Sequence, residues 1–189
     1  MTGSYQSILG ENGSYELRTQ VRRTNPDEYF SDLKKVALSE VKLSNTHIDS
    51  LSQLDMPVAI GYDISFQTDG DVFYFNPMFP DAITENPFSA AERTYPVEMP
   101  FCIDESYVLN MEVPSGYKVD ELPKPERVTL NDNEGVFEYL IQQTGDHIQL
   151  LCRTKLKKAN FEPNDYETLR NFFSIIVRKE NEQIVFKKE

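Results

Sequence analysis

Phe137-Glu138-Tyr139-Leu140-Ile141-Gln142-Gln143-Thr144-Gly145-Asp146-His147-Ile148-Gln149-Leu150-Leu151-Cys152 decides the architecture of this chain. On either side of Gly145-Asp146 an apolar residue recurs at every second position. Phe137, Tyr139 and Ile141 precede the break, and Ile148, Leu150 and Cys152 follow it. A period of two marks a strand with one face buried, because successive side chains point to opposite faces. A Gly-Asp pair between two such runs supplies the reversal of a hairpin. The stretch therefore reads as two antiparallel strands sharing a core-facing side.

The same signals recur outward. Val128 and Leu130 start a strand that breaks at Asn131-Asp132-Asn133-Glu134-Gly135. Tyr107, Leu109, Met111 and Val113 alternate with polar neighbours, Pro114-Ser115-Gly116-Tyr117 turns that strand, and Val119 to Pro125 reads as extended. Val58, Ile60, Tyr62, Ile64 and Phe66 alternate most clearly of all. Thr68-Asp69-Gly70-Asp71 is a turn signal, so Val58–Phe66 and Val72–Phe75 are expected to form a hairpin. Ile184-Val185-Phe186 closes the chain as a last strand. Turn signals at roughly 8–12-residue spacing read as an antiparallel sandwich.

At the N-terminus, residues 1–14 are rich in Gly, Ser and Asn and read as a frayed lead-in, and Tyr15 to Arg23 reads as a strand. Asn25-Pro26-Asp27-Glu28 combines a capping side chain, Pro at the first helical position and acids at the positive end of the dipole. It opens a short helix through Tyr29, Phe30, Leu33, Val36 and Ala37, ending near Leu38. Glu162-Pro163-Asn164-Asp165 opens a second. Its apolar stripe is Tyr166, Leu169, Phe172, Phe173, Ile176 and Val177, with Arg170, Arg178, Lys179 and Glu180 on the other face. The stripe is expected to cover one face or end of the sheet. The expected fold is mainly β (α+β): an antiparallel β-sandwich with two amphipathic helices, one N-terminal and one near the C-terminus. Residues 1–50 form an extension of strand plus short helix, and 51–189 form the main domain.

Composition limits the function. The chain has 189 residues, with 19 Lys and Arg against 31 Asp and Glu, a net charge of −12. Such a chain repels phosphate backbones and anionic lipid surfaces, so neither nucleic acid nor membrane insertion is expected. No apolar run approaches a transmembrane length. The N-terminus has no basic n-region and no apolar h-region. Either the protein is cytoplasmic, or it is a fragment whose targeting signal lies upstream.

Catalytic candidates are few. A Cys-His nucleophile would need Cys102 or Cys152 beside His47 or His147. Cys152 falls on the apolar side of its strand, where a thiol is inert. Cys102 lies in Pro100-Phe101-Cys102-Ile103, with no glycine-rich or helix-start context to activate it. A disulfide between the two would close a loop of about 50 residues and could add about 4 kcal/mol. Two buried thiols acting as small hydrophobes are the preferred reading. Two distant histidines and no Cys-x-x-Cys argue against zinc, and the acidic turns lack the ligand ladder of a calcium loop. No catalytic residue, metal or cofactor is expected.

The long segment after Phe75 holds the one positive hint. It runs Phe75-Asn76-Pro77-Met78-Phe79-Pro80, then Glu85-Asn86-Pro87-Phe88, and leaves as a strand from Arg93. Phe79 and Phe88, stiffened by flanking prolines, either dock a partner at low entropic cost or fold back as a lid. With Val113-Pro114-Ser115-Gly116-Tyr117, Glu121-Leu122-Pro123 and Glu182-Gln183-Ile184-Val185, the segment resembles a known family. It is the C-terminal domain of unknown function that follows the transglutaminase-like core in large exported Bacteroidetes proteins. The resemblance runs from about Met56 to Lys188 and departs at Cys102. It implies a β-sandwich-like accessory domain with no activity of its own and a periplasmic or cell-surface location. The implied partner is the upstream core of the same polypeptide. Two other readings stand beside it: an independent glycan- or peptide-binding module using the loop aromatics, and a Cys-dependent hydrolase.

Overall fold

Ala59-Ile60-Gly61-Tyr62-Asp63-Ile64-Ser65 is the strand around which the N-terminal third is built. The structure, a computed structural model, describes residues 2–36, 42–65 and 70–189, and only the backbone of 34–36 and of 80. The chain divides into two compact units, Met1–Asp69 and Gly70–Glu189, so the boundary falls after Asp69 and not after residue 50.

The first unit runs β1 (Thr2–Ile8), α1 (Glu11–Arg23), α2 (Pro26–Val36), β2 (Lys42–Asp49) and β3 (Ala59–Ser65). Its sheet has the order β1-β3-β2, all antiparallel. Three expectations are corrected here. Residues 2–8 are a strand, not a frayed lead-in: they pair along the whole of β3, and Tyr5 stacks on Tyr62 with ring centroids 4.7 Å apart. Pairing with a strong central strand overrides the weak propensity of Gly and Ser. Tyr15 to Arg23 is helical, not extended. The buried set Ser14, Leu17 and Arg18 follows i, i+3, i+4 spacing, and Glu11 and Arg22/Arg23 sit at the matching ends of the helix dipole. The alternation of Tyr15, Leu17, Thr19 and Val21 misleads because Leu17 and Val21 are also four apart. Finally, β3 pairs with β1 and β2 and forms no hairpin with Val72–Phe75. Phe66 and Thr68-Asp69, on which that hairpin was read, lie outside the described residues.

The α2 start behaves as its sequence predicts. Asn25 Oδ1 accepts from Glu28 N at 2.9 Å, with Pro26 as the first helical residue. The predicted end at Leu38 lies outside the described residues. Leu17, Phe30, Val58, Ile60 and Tyr62 form the core of this unit. Arg18 is buried beside it and ties down the loop before β3. Its Nη2 donates to the carbonyls of Ser50, Gln53 and Met56 at 3.0, 2.7 and 2.7 Å, and its Nε donates to Leu51 at 3.2 Å. The guanidinium offers five donors in a planar fork, against three on a lysine ammonium, and four carbonyls are bonded here.

The second unit contains β4 (Val72–Phe75), β5 (Val97–Glu98), β6 (Asp104–Glu112), β7 (Tyr117–Glu121) and β8 (Glu126–Leu130). It continues through β9 (Gly135–Thr144), β10 (His147–Leu156), β11 (Asn160–Phe161), α3 (Tyr166–Glu180) and β12 (Ile184–Lys188). The β9–β10 hairpin forms in the predicted sense, with Tyr139 opposite Cys152, Ile141 opposite Leu150, and Gly145 at φ +59° in the turn. With β6 and β8 it makes an antiparallel sheet of order β6-β10-β9-β8. A second sheet has the order β4-β12-β7, and β5 pairs with β11. The strand expected from Arg93 is shorter than predicted and begins only at Val97. A 3-10 turn at Pro163–Asp165 leads into α3, whose stripe of Tyr166, Leu169, Phe172, Phe173 and Ile176 is buried. The architecture is mainly antiparallel β with helices, the expected α+β class. The described residues contain three helices where two were expected, α1 being the addition.

Arg18→Lys keeps the charge but loses most of the carbonyl clamp. It is expected to cost about 1–3 kcal/mol. Faster hydrogen exchange at β3 amides would register the loss, and exchange equal to that of the parent chain would count against the clamp.

Candidate functional site

Two Asn-Pro pairs punctuate the segment after β4, and both make the same local structure. Asn76 Oδ1 accepts from Met78 N at 2.8 Å, and Asn86 Oδ1 accepts from Phe88 N at 2.8 Å. Asparagine bonding the backbone two residues on is a turn that needs no partner strand. In each case the residue delivered is apolar and buried: Met78 and Phe88. Residues 76–91 thus form a strap with two fixed corners.

The strap is fastened along α3. Asn86 Nδ2 donates to the Arg170 carbonyl at 2.9 Å and to Ser174 Oγ at 2.8 Å. Tyr166 Oη donates to the Ala90 carbonyl at 2.9 Å, and Asn181 Nδ2 to the Ile83 carbonyl at 2.8 Å. Ile83 N donates to Glu180 Oε2 at 2.7 Å. Phe88 packs edge-on against Phe173 and Tyr166, with centroids at 5.0 and 6.2 Å. At the other end, Tyr107 Oη on β6 donates to the Pro77 carbonyl at 2.9 Å.

Of the two aromatics singled out as a possible docking loop, Phe88 is therefore a core residue, only 8% exposed. Its ring lies against α3, and offering it to a partner would open that packing. Phe79 is half-buried in a short 3-10 turn at Phe79–Asp81, with φ +46°.

Beneath the strap, a polar belt crosses the sheet. Tyr107, Cys152, Tyr139 and Glu126 stand opposite one another on β6, β10, β9 and β8. The last turn of α3 lies over this belt. Lys179 and Glu180 are 2% and 4% exposed, which corrects their expected place on the solvent face. They continue the stripe at three and four residues beyond Ile176, so helical position outweighs their polarity. Lys179 Nζ donates to Glu182 at 2.6 Å and lies 5.3 Å from the Tyr139 ring centroid. Glu180 Oε1 lies 3.8 Å from Cys152 Sγ, within reach of a weak thiol donor.

These contacts set the electrostatics. Burial pushes the Cys152 thiol far up, and the neighbouring Glu180 carboxylate adds to the shift. A thiol so placed is a poor nucleophile. Burial raises Glu180 to about 7. The Ile83 amide and the Cys152 thiol oppose the rise, and the negative charges of Glu105 and Asp81 add to it. The Tyr139 hydroxyl is also pushed up, chiefly by burial, and it has no hydrogen-bond partner among the described residues. The arrangement is a buried clasp between helix and strap.

The remaining candidates are scattered. Cys152 is buried as expected, but Cys102 is exposed, and both are free thiols. His147 is exposed at the start of β10. His47 lies in the first unit, its Nδ1 3.0 Å from the Asn45 carbonyl. It lies against Gly61, where an added Cβ would collide with the imidazole. Among the described residues neither cysteine bonds a histidine, and no group of His, Cys, Asp and Glu has metal-ligand geometry.

Residues 71–186, the strap, belt and helix included, match the family model "Domain of Unknown Function with solved-structure structure (DUF3858)". The chain belongs to this family. Its fold is similar to a crystal structure from Parabacteroides distasonis named a "putative protease", at 19% identity and a TM-score of 0.51. The similarity covers 64% of this chain but only 24% of that one. No curated protein matches the sequence. DUF3858 matches exclude β1 to β3, so the family boundary agrees with the division after Asp69.

The clasp predicts a pH dependence. Folding raises the Glu180 pKa above its ordinary 4.5, so the folded state holds the proton more tightly. The stability this supplies is complete below about pH 4.5 and is lost as pH rises to about 7. Glu180→Gln keeps an acceptor for Ile83 and removes the titration. At pH 8 the variant is expected to be more stable than the parent by at least about 1 kcal/mol. At pH 4.5 the difference should shrink. Parallel stability profiles for the two chains would contradict the clasp.

Proposed function

We propose that the DUF3858 unit is the non-catalytic accessory domain of a longer, transglutaminase-like protein, and that it docks on or positions the catalytic core of that protein. The observation that carries this reading is the solved neighbour, in which the shared fold accounts for 24% of a much longer chain. A fold that recurs as a minor part of a large protein suits a module that serves another domain. The chemistry of the belt supports the same reading. The buried Cys152 is held as a thiol, and the most perturbed carboxylate, Glu180, is used to fasten the strap. In the exported family resembled, such a domain would lie in the periplasm or at the cell surface.

With Phe88 in the core, the docking surface of this reading leaves it out, and a glycan-binding mode built on Phe79 and Phe88 has one of its two aromatics buried. Calorimetric titration of the 189-residue chain into the separately expressed remainder of its parent protein tests the proposal. Saturable binding with a Kd near or below about 10 μM is expected, and Phe88→Ala should weaken it only by unfolding the strap. Absence of heat at high concentration of both components would overturn the accessory reading.

A further inference from the structure

Asp104-Glu105-Ser106-Tyr107-Val108-Leu109-Asn110-Met111-Glu112 is a long edge strand whose protecting charges are all carboxylates, placed at its two ends. Its ladder with β10 runs from Asp104 to Glu112 with no register break. β10 is its one ladder partner among the described residues. Natural edges are shortened, bulged, or studded with Pro and Lys, because open backbone groups template further pairing. β6 has nine residues, no Pro, no Lys or Arg and no bulge. β1 is likewise unbroken and free of Pro, Lys and Arg, but it has seven residues, with Tyr5 and Ile8 as its large apolar side chains. The remaining edges differ. β8 has five residues and lies against α3. β4 has four, and β7 has five with Lys118. β2 breaks register between Ser44 and His47.

Burial makes the same point. None of the nine β6 residues is buried. Leu109 and Met111 stand opposite Leu150 and Ile148, which are fully buried, yet both are only half-covered themselves. On the opposite face Val108 is 63% exposed beside Leu151. The edge thus offers apolar side chains on both faces of the sheet, as a strand-accepting edge does.

Charge says what would fill it. Asp104 is engaged by Arg153 at 2.9 Å and by Lys155. Glu105 and Glu112 have no ion pair among the described residues. A second copy of this chain fits poorly. In an antiparallel pairing centred on Val108, Asp104 would face Glu112 at both ends, between two chains each of net charge −12. The geometry points to β6 as the acceptor of an extended, cationic segment of another protein or domain, which adds to the sheet as a fifth strand. Its lysines or arginines lie near Glu105 and Glu112, and its apolar residues cover Val108, Leu109 and Met111. The inference goes beyond the accessory reading, because it stands on the edge alone.

The test uses the full 189-residue chain, labelled with nitrogen-15, and a short peptide of alternating valine and threonine with lysine at each end. A glutamate-ended counterpart is the control. Saturable shifts confined to β6 and β10 amides are expected, with the glutamate-ended peptide weaker by about tenfold or more. Val108→Lys and Glu112→Lys, both at exposed positions, should each weaken the lysine peptide while leaving the melting temperature unchanged. No shifts at millimolar peptide, shifts centred elsewhere, equal binding of both peptides, or dimerisation through β6 would each overturn the proposal.

Discussion

Helix α3 must be covered on more than one side, and the second unit is organised around that requirement. Leu169 and Ile176 are fully buried, as are Tyr166, Phe172 and Phe173 to within a few per cent. A stripe that includes both Phe172 and Phe173 is wider than one sheet face can hide. The sheet takes one part through the row containing Tyr139 and Cys152. The strap takes another through Phe88, with Asn86 and Glu180 as its fastenings. Each apolar side chain of this size is worth roughly 1.5–3 kcal/mol when removed from water. An uncovered stripe of that kind would leave large apolar surface in water, so the strap is as much a part of the fold as the strands are.

Polar groups inside this core are tolerated because almost all are partnered. Lys179 is neutralised by Glu182 and lies over the Tyr139 ring. Glu180 accepts the Ile83 amide, which would otherwise be a buried donor without a partner. The Tyr139 hydroxyl is the exception in the belt. Such a belt fixes the register of helix against sheet and strap, since a shifted helix would bury Glu180 away from the Ile83 amide and take Lys179 off the Tyr139 ring. The same burial that makes Cys152 unreactive makes the clasp specific.

The sequence made much of the fold legible where period and punctuation agree. The β9–β10 hairpin, β6 and β8 each follow from strict alternation between turn residues, β12 from the apolar run Ile184-Val185-Phe186, α2 from Pro at the helix start, and α3 from its apolar stripe. What escaped depends on tertiary pairing. β1 has a composition of Gly, Ser and Gln that becomes a strand only through β3. α1 carries an alternation compatible with either period, and only the burial of Ser14, Leu17 and Arg18 decides it. The site was less legible. Phe88 was visible as an aromatic, but its direction is set by an Asn86 turn and by the Phe173 ring. Lys179 and Glu180 read as solvent-facing charges, although their spacing from Ile176 placed them on the buried stripe.

Hydrogen exchange of the native chain at the Met78, Ile83 and Phe88 amides tests the central claim most directly. The Met78 and Phe88 amides close the strap's own corners on Asn76 and Asn86, and the Ile83 amide fastens it to Glu180 of α3. If the strap is an integral layer over α3, they exchange about as slowly as the amides of Leu169 and Ile176, through the same cooperative opening. Exchange within about tenfold of the rate of an unstructured loop, while α3 remains protected, would show that the helix holds without its strap and would contradict the account.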